Sequence, residues 1–275
     1  MVPYVSFEKL DRYGLTNAFS TKHGGVSTGI YKSMNLNFNC GDDEKLVLEN
    51  FKRFSKAINV DFNKLIMSRQ THTTNVIRVS DEFCFKNGVY NNPFNDIDGL
   101  VTNDKSAVLV TSYADCVPLY FYDPINEAIG LSHSGWRGTV GNIAANTIKL
   151  MADEFASKPE NIVCVIGPSI CKECYEVSKD LYDEFSKKYN SREMSDIFTR
   201  KNDEKYLLDL WKANYYNFIN CGIKHENIQI SGICTCCNSD KYFSHRATQG
   251  KRGGLCAFLS LKKVKEETNG RECCK

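Results

Sequence analysis

Three runs in the middle of the chain, Ala107 to Ser112, Ala128 to Ser132 and Ile162 to Ile166, are nearly continuously apolar. A strand with one face in water alternates polar and apolar residues, so an unbroken apolar run implies burial on both faces. Further strand-like runs read at Asn75 to Val79, Ile228 to Ile233 and Leu255 to Leu261. Between them, apolar residues recur at helical spacing in four sets: Val47, Phe51, Phe54 and Ile58; Ile143, Thr147, Met151 and Phe155; Leu181, Phe185 and Tyr189; and Leu208, Trp211, Tyr215 and Phe218. Strands that need cover on both faces, with amphipathic helices able to supply it, predict an α/β (mixed α+β) fold class of mixed β-sheets enclosed by helices. The irregular order of strands and helices argues against a simple doubly wound sheet. No Pro, Gly or Ser-rich linker divides the middle, so residues 1–262 read as one domain and residues 263–275 as a flexible charged tail.

The 275 residues, 42% of them hydrophobic, are enough for a large core. A net charge of +2 shows no basic excess of the kind that marks nucleic-acid binders, so small molecules are the expected partners. No run approaches the roughly 18 apolar residues that span a bilayer, and Met1 to Lys9 lacks the apolar centre of a signal peptide. The expectation is a cytoplasmic protein with neither membrane nor nucleic acid as partner, acting as a monomer or weak homo-oligomer. The odd count of 13 cysteines then favours reduced thiols, most of them small hydrophobes and some metal ligands.

Chemistry concentrates where apolar runs end. His133 closes one run in His133-Ser134-Gly135-Trp136-Arg137-Gly138, just before a helix expected from about Thr139, while His72 and Cys116 close two others. Two histidines and a cysteine make a zinc site with three protein ligands, whose fourth position stays open for water or substrate. The intervals are long and match no short-range zinc pattern, so spacing alone does not establish the site. The same residues would also make a cysteine hydrolase, with Cys116 as nucleophile, His133 as base and His72 as partner. Arg137 offers a planar charged fork for phosphate or carboxylate beside the helix start, or pairs with a buried carboxylate. Ser20 to Ser27, with Lys22, His23 and a glycine pair, is either an anion-binding lip or an ordinary turn. A second basic segment, Tyr242 to Gly253, completes a pocket or forms a solvated turn. Cys171 and Cys174, with Cys234, Cys236 and Cys237, would form a structural zinc site if folding brought them together. The separation of 60 positions between Cys174 and Cys234 exceeds the usual zinc-ribbon spacing, and Cys273-Cys274 reads as incidental.

Taken in order, Ser20 to Ser27, Ser33-Met34-Asn35-Leu36-Asn37, Gln70-Thr71-His72, Asp98-Gly99-Leu100-Val101-Thr102, Ala114-Asp115-Cys116-Val117-Pro118, His133 to Gly138 and Ile166-Gly167-Pro168 resemble the YfiH and laccase-domain-containing family. Its members were once called multicopper polyphenol oxidases and are now linked to purine nucleoside metabolism. The resemblance runs from about Phe19 to Leu261. It implies metal ligands at His72, Cys116 and His133, and a fold of mixed sheets enclosed by helices related to the cytotoxic-necrotizing-factor deamidases. Two departures from the family pattern are Lys22 in place of arginine and Ala247 after Arg246 in place of a second arginine.

The resemblance implies a zinc enzyme, with copper able to load in vitro, that cleaves adenosine, inosine or methylthioadenosine with phosphate and deaminates adenosine to inosine. On this reading His72, Cys116 and His133 form the catalytic centre, Asp115 shuttles protons, and Lys22, Asn35, Arg137 and Arg246 contact substrate or phosphate. The alternatives are a peptidoglycan-precursor amidase using Cys116, a copper-dependent polyphenol oxidase, and a non-enzymatic metal-buffering module. Five histidines are too few for the roughly ten that a multicopper cluster needs.

Overall fold

A computed structural model describes residues 2–84 and 94–261; the expected tail, with Cys273 and Cys274, lies outside the described residues. In the first half the elements are β1 (Tyr4–Val5), α1 (Glu8–Asp11), β2 (Thr16–Ser20), α2 (Glu44–Ala57), β3 (Leu65–Met67), β4 (Val76–Arg78), β5 (Gly99–Thr102), β6 (Val108–Tyr113), β7 (Val117–Asp123) and β8 (Ala128–Ser134). There follow α3 (Trp136–Val140), α4 (Ile143–Phe155), β9 (Val163–Ile166), β10 (Glu176–Ser178), α5 (Lys179–Ser186), α6 (Ser191–Ile197), β11 (Phe198–Arg200), β12 (Lys205–Leu208), α7 (Leu210–Asn220), β13 (Ile228–Ile230), α8 (His245–Thr248) and β14 (Leu255–Ser260).

Two large mixed sheets stack face to face, in the orders β1-β2-β14-β6-β3 and β13-β9-β7-β8-β5-β4, and a small sheet runs β10-β12-β11. The period-two rule sorts their side chains into layers. On β7, Tyr120 and Tyr122 point to the layer between the large sheets, with Phe19, Leu109, Leu131, Val165 and Ala257. Leu119 and Phe121 point the other way, to a layer shared with α4, α7 and the small sheet. Ala18, Val110 and Phe258 meet Val47, Phe51 and Phe54 of α2 on the outer face of the five-stranded sheet. The continuous apolar runs are thus strands with one face against a sheet and the other against helices. Each fully buried Phe or Leu contributes about 1.5–3 kcal/mol relative to exposure.

The expected elements form within a few residues of their sequence limits, and two differences matter. The apolar stretch at β7 is absent from the strand-like runs expected above, yet it pairs on both sides, with β8 and β9. The helix expected from about Thr139 begins instead at Trp136, after Gly135, and is only five residues long. The longer α4 has its own N-cap in Asn142, which sits in the left-handed region at φ 57° and accepts from the Ala145 amide at 3.1 Å. Among the described residues no helix is long and apolar enough to cross a membrane.

Candidate active site

The antiparallel register of β7 and β8 sets Val117 opposite Ser134 and Pro118 opposite His133. Cys116, one residue before β7, therefore stands beside the end of β8. His72 arrives on the loop after β3, which Gln70 pins to β6 through two hydrogen bonds: its amide donates to the Ser112 carbonyl at 3.0 Å, and its oxygen accepts from the Ser112 amide at 2.7 Å. One buried carboxylate then aligns both histidines. Asp98 accepts from the backbone amides of Thr71, His72 and Thr73 at 3.2, 3.0 and 2.9 Å, and from the Thr73 hydroxyl at 2.8 Å. It also lies 2.8 Å from His133 Nδ1. With that nitrogen occupied, His133 turns Nε2 toward Cys116.

Cys116 Sγ lies 3.9 Å from His72 Nε2, and ligand atoms of His72, Cys116 and His133 all fall within 4.8 Å of one another. His133 is buried, Cys116 partly so, and His72 exposed. Gly135 closes the back: a Cβ there would lie 2.8 Å from the His72 ring and 3.2 Å from Cys116 Sγ, so only glycine leaves the ligands room. Electrostatics agree with a paired centre. Burial opposes a thiolate at Cys116, yet the His133 charge and hydrogen bonds from both histidines outweigh it and lower the thiol to about 6. Burial likewise opposes a charged His133, but Cys116 and Asp98 overcome it and raise the imidazole to about 9. Burial would raise Asp98, and the His133 and Thr73 donors instead hold it at about 2. Two imidazole nitrogens and an easily ionised sulfur, with a carboxylate behind one ring, fit a metal of borderline softness such as zinc. A metal must displace the His133 proton to bind there.

The triad lies on a cavity of about 610 Å³, within the range of small-molecule sites. Of the residues expected to contact substrate, Arg137 and Arg246 line it, with Tyr175 and Trp136 as aromatic walls. The Arg137 guanidinium sits 4.2 Å from the Trp136 ring centroid and has no carboxylate partner among the described residues, so the buried ion pair is not formed. Arg246 donates to the carbonyls of Cys174 and Glu176 at 3.2 and 3.1 Å and covers the Tyr175 ring.

Two expected contacts lie elsewhere. Neither Lys22 nor Asn35 lines the cavity. The Lys22 ammonium is turned onto the Ser239 carbonyl, and its backbone is bonded to Lys241, Ser33 and Met34. Asn35 is fully buried, donating to Asp42 at 2.9 Å and accepting from the Asn37 and Gly254 amides at 3.1 and 2.8 Å. Both hold loops. Asp115 does border the cavity, at a left-handed φ of 83°, but its carboxylate accepts from the Thr235 hydroxyl at 2.7 Å, the Ser244 hydroxyl at 3.0 Å and the Arg246 amide at 2.7 Å. Sequence reasoning missed Arg252, which also lines the cavity and whose buried Nε has no hydrogen-bond partner among the described residues. The only signal for it was its place in the second basic segment. It also assigned no role to Asp98, quoted only as the first residue of a motif.

A family model described as "Multi-copper polyphenol oxidoreductase laccase" matches residues 16–262. The chain belongs to this family. It is 34% identical to "Purine nucleoside phosphorylase YlmD" of Bacillus subtilis over 90% of this chain and 88% of that protein. It is 32% identical to "Adenosine deaminase RL5" of an unknown prokaryotic organism, over 88% and 94% of the two chains. Among solved structures, the YfiH protein of Bacillus licheniformis superposes with a TM-score of 0.90 at 30% identity, covering 95% of this chain and 97% of that one. YlmD of Geobacillus stearothermophilus gives 0.84 at 29% identity, over 90% and 92%. The mixed-sheet fold and the family expected from sequence are those found, and the chain is an enzyme of this family. Although the family description names copper, among the described residues only His72 and His133 of the five histidines join a metal-competent group.

Proposed function

We propose that this enzyme processes purine nucleosides at the cavity over Cys116, by phosphorolysis of adenosine, inosine or methylthioadenosine and by deamination of adenosine. One observation carries the reading: a cavity of nucleoside size holds the His72, Cys116 and His133 triad beside arginines that have no carboxylate partner among the described residues, in a chain similar over about nine-tenths of its length to phosphorylases of this class. His72, Cys116 and His133 would hold a zinc ion, which would supply Lewis acidity at the cavity. Asp98 fixes His133 in one ring orientation and His72 through its backbone, so both ligands are preorganised. Arg137 and Arg252 offer guanidinium donors to phosphate, holding its charge near the sugar carbon where the bond to the base breaks. Tyr175 and Trp136 offer apolar surface to the purine ring. We assign Asp115 to positioning Arg246, because three donors already occupy the carboxylate that the sequence suggested as a proton shuttle. The expected setting is soluble and cytoplasmic.

The test is to incubate metal-analysed protein with adenosine, with and without phosphate, and to resolve adenine, inosine and hypoxanthine by chromatography beside a Cys116→Ala control. Phosphate-dependent release of adenine that the control lacks supports phosphorolysis, and inosine formed without phosphate supports deamination. Release of an amino acid from a muropeptide precursor, with no nucleoside turnover, overturns both in favour of the amidase.

A further inference from the structure

A second metal-competent group lies outside the catalytic triad. Strands β9 and β13 pair in parallel, with Ile228 opposite Cys164 and Ile230 opposite Ile166, so the segments that follow both strands leave at the same end of the sheet. A further bridge, Ser169 to Cys234, keeps them together beyond the strands. Cys171 and Cys174 come from the first segment and Cys234 and Cys237 from the second, and their four sulfur atoms lie within 4.8 Å of one another. Cys174 Sγ is 3.4 Å and Cys171 Sγ 3.8 Å from Cys237 Sγ. These separations exceed the roughly 2.0 Å of a disulfide and come within about 0.4 Å of the edge of about 3.8 Å that a tetrahedron of sulfurs takes around zinc with bonds of about 2.3 Å. All four thiols are free. The amides of Cys171 and Cys237 donate to Cys234 Sγ at 3.2 and 3.3 Å, a backbone setting that favours sulfur as thiolate.

From this geometry we infer a structural zinc site with Cys171, Cys174, Cys234 and Cys237 as its four ligands. Four ligands leave no open position, so the ion clamps two chain segments and does no chemistry on substrate. The clamp borders the active site: the Cys174 carbonyl accepts from Arg246, and the Ile170 amide, one residue before Cys171, donates to the Asp115 carbonyl at 3.0 Å. A filled cluster therefore fixes the wall from which Ile170 and Tyr175 face the cavity. Cys236 stands outside the group and is not a ligand.

The test measures zinc by mass spectrometry in full-length protein reconstituted with zinc under reducing conditions and then freed of loosely held metal. A His72→Ala/Cys116→Ala variant, which lacks the triad, is expected to retain about one zinc per chain, and adding Cys174→Ser/Cys237→Ser is expected to remove it. Should the combined variant not fold, cobalt loaded into the triad-deleted variant gives the second readout: intense thiolate-to-cobalt absorption of a tetrahedral site. No metal in the triad-deleted variant, whether its thiols are free or joined in disulfides, overturns the inference. So does zinc retained after the two serine substitutions.

Discussion

The two sulfur-bearing corners of the molecule are assembled by opposite strand geometries. In the antiparallel pair β7 and β8 the start of one strand lies beside the end of the next, so Cys116 and His133 meet across a hairpin, and His72 must be brought from elsewhere by Asp98. In the parallel pair β9 and β13 both strands end on the same side, so two cysteine pairs far apart in sequence meet with no third element. The first corner is open to a cavity and depends on residues that touch no substrate. The second is closed by its own four side chains. A metal held for chemistry thus rests on surrounding groups, whereas a metal held for structure rests on its ligands.

That contrast can be broken most directly at Cys116. Cys116→Ala is expected to lower kcat/KM for nucleoside turnover by about a thousandfold or more while leaving the zinc of the four-cysteine cluster in place; undiminished turnover would remove the triad from the chemistry. Next comes Gly135→Ala, which pushes a methyl group against the His72 ring and Cys116, and is expected to cost roughly a hundredfold in kcat with a folded protein by circular dichroism. Asp98→Asn sharpens the claim that the open site depends on its surroundings, since the loss of a group behind a metal ligand typically weakens metal affinity about 10–100-fold, as calorimetry would measure.

The same variant has a pH signature. Asp98 is held at about 2 against 3.8 for an ordinary carboxyl, so its ionised form stabilises the folded state by about 2 kcal/mol above roughly pH 4, and that is lost as pH falls through 2. Denaturant titrations of the metal-free proteins should show the gap between wild type and Asp98→Asn narrowing as the pH drops from 4 to 2. A gap that stays constant would mean that Asp98 acts by shape and not by charge. The smallest effect is expected at Arg246→Ala, a few-fold rise in KM for phosphate or nucleoside, because its guanidinium already donates to the Cys174 and Glu176 carbonyls.

Much of the fold was legible because burial leaves periodic marks. The set Val47, Phe51, Phe54 and Ile58 marks α2 and its end, and the runs at β6, β8 and β9 announce strands covered on both sides. What pattern does not encode is pairing, so nothing in the sequence said that two large sheets would stack on one another. The triad was readable through its motifs, while residue chemistry alone left a metal centre and a cysteine nucleophile equally open. Asp98 went unassigned because its role lies in five hydrogen bonds made across the fold. The four cysteines were discounted because spacing rules for zinc come from short loops, and a parallel strand pair can span sixty residues without separating their ends. Lys22 and Asn35 were misplaced because a polar, glycine-bearing turn looks the same whether it binds an anion or its own chain.

Strand β14, residues Leu255–Ser260, does not lie at an edge; it fills the place between β2 and β6, whose backbones are joined in the sheet through it. The consequence belongs to the ribosome. A growing chain will have made every triad ligand, and all four clustered cysteines, well before the strand that joins the two halves of its first sheet emerges. Until then β2 and β6 present bare backbone edges, the kind of surface that recruits other strands. Messages cut short just ahead of Leu255 should therefore yield aggregates and not weakened enzymes, even though no active-site residue is missing from them.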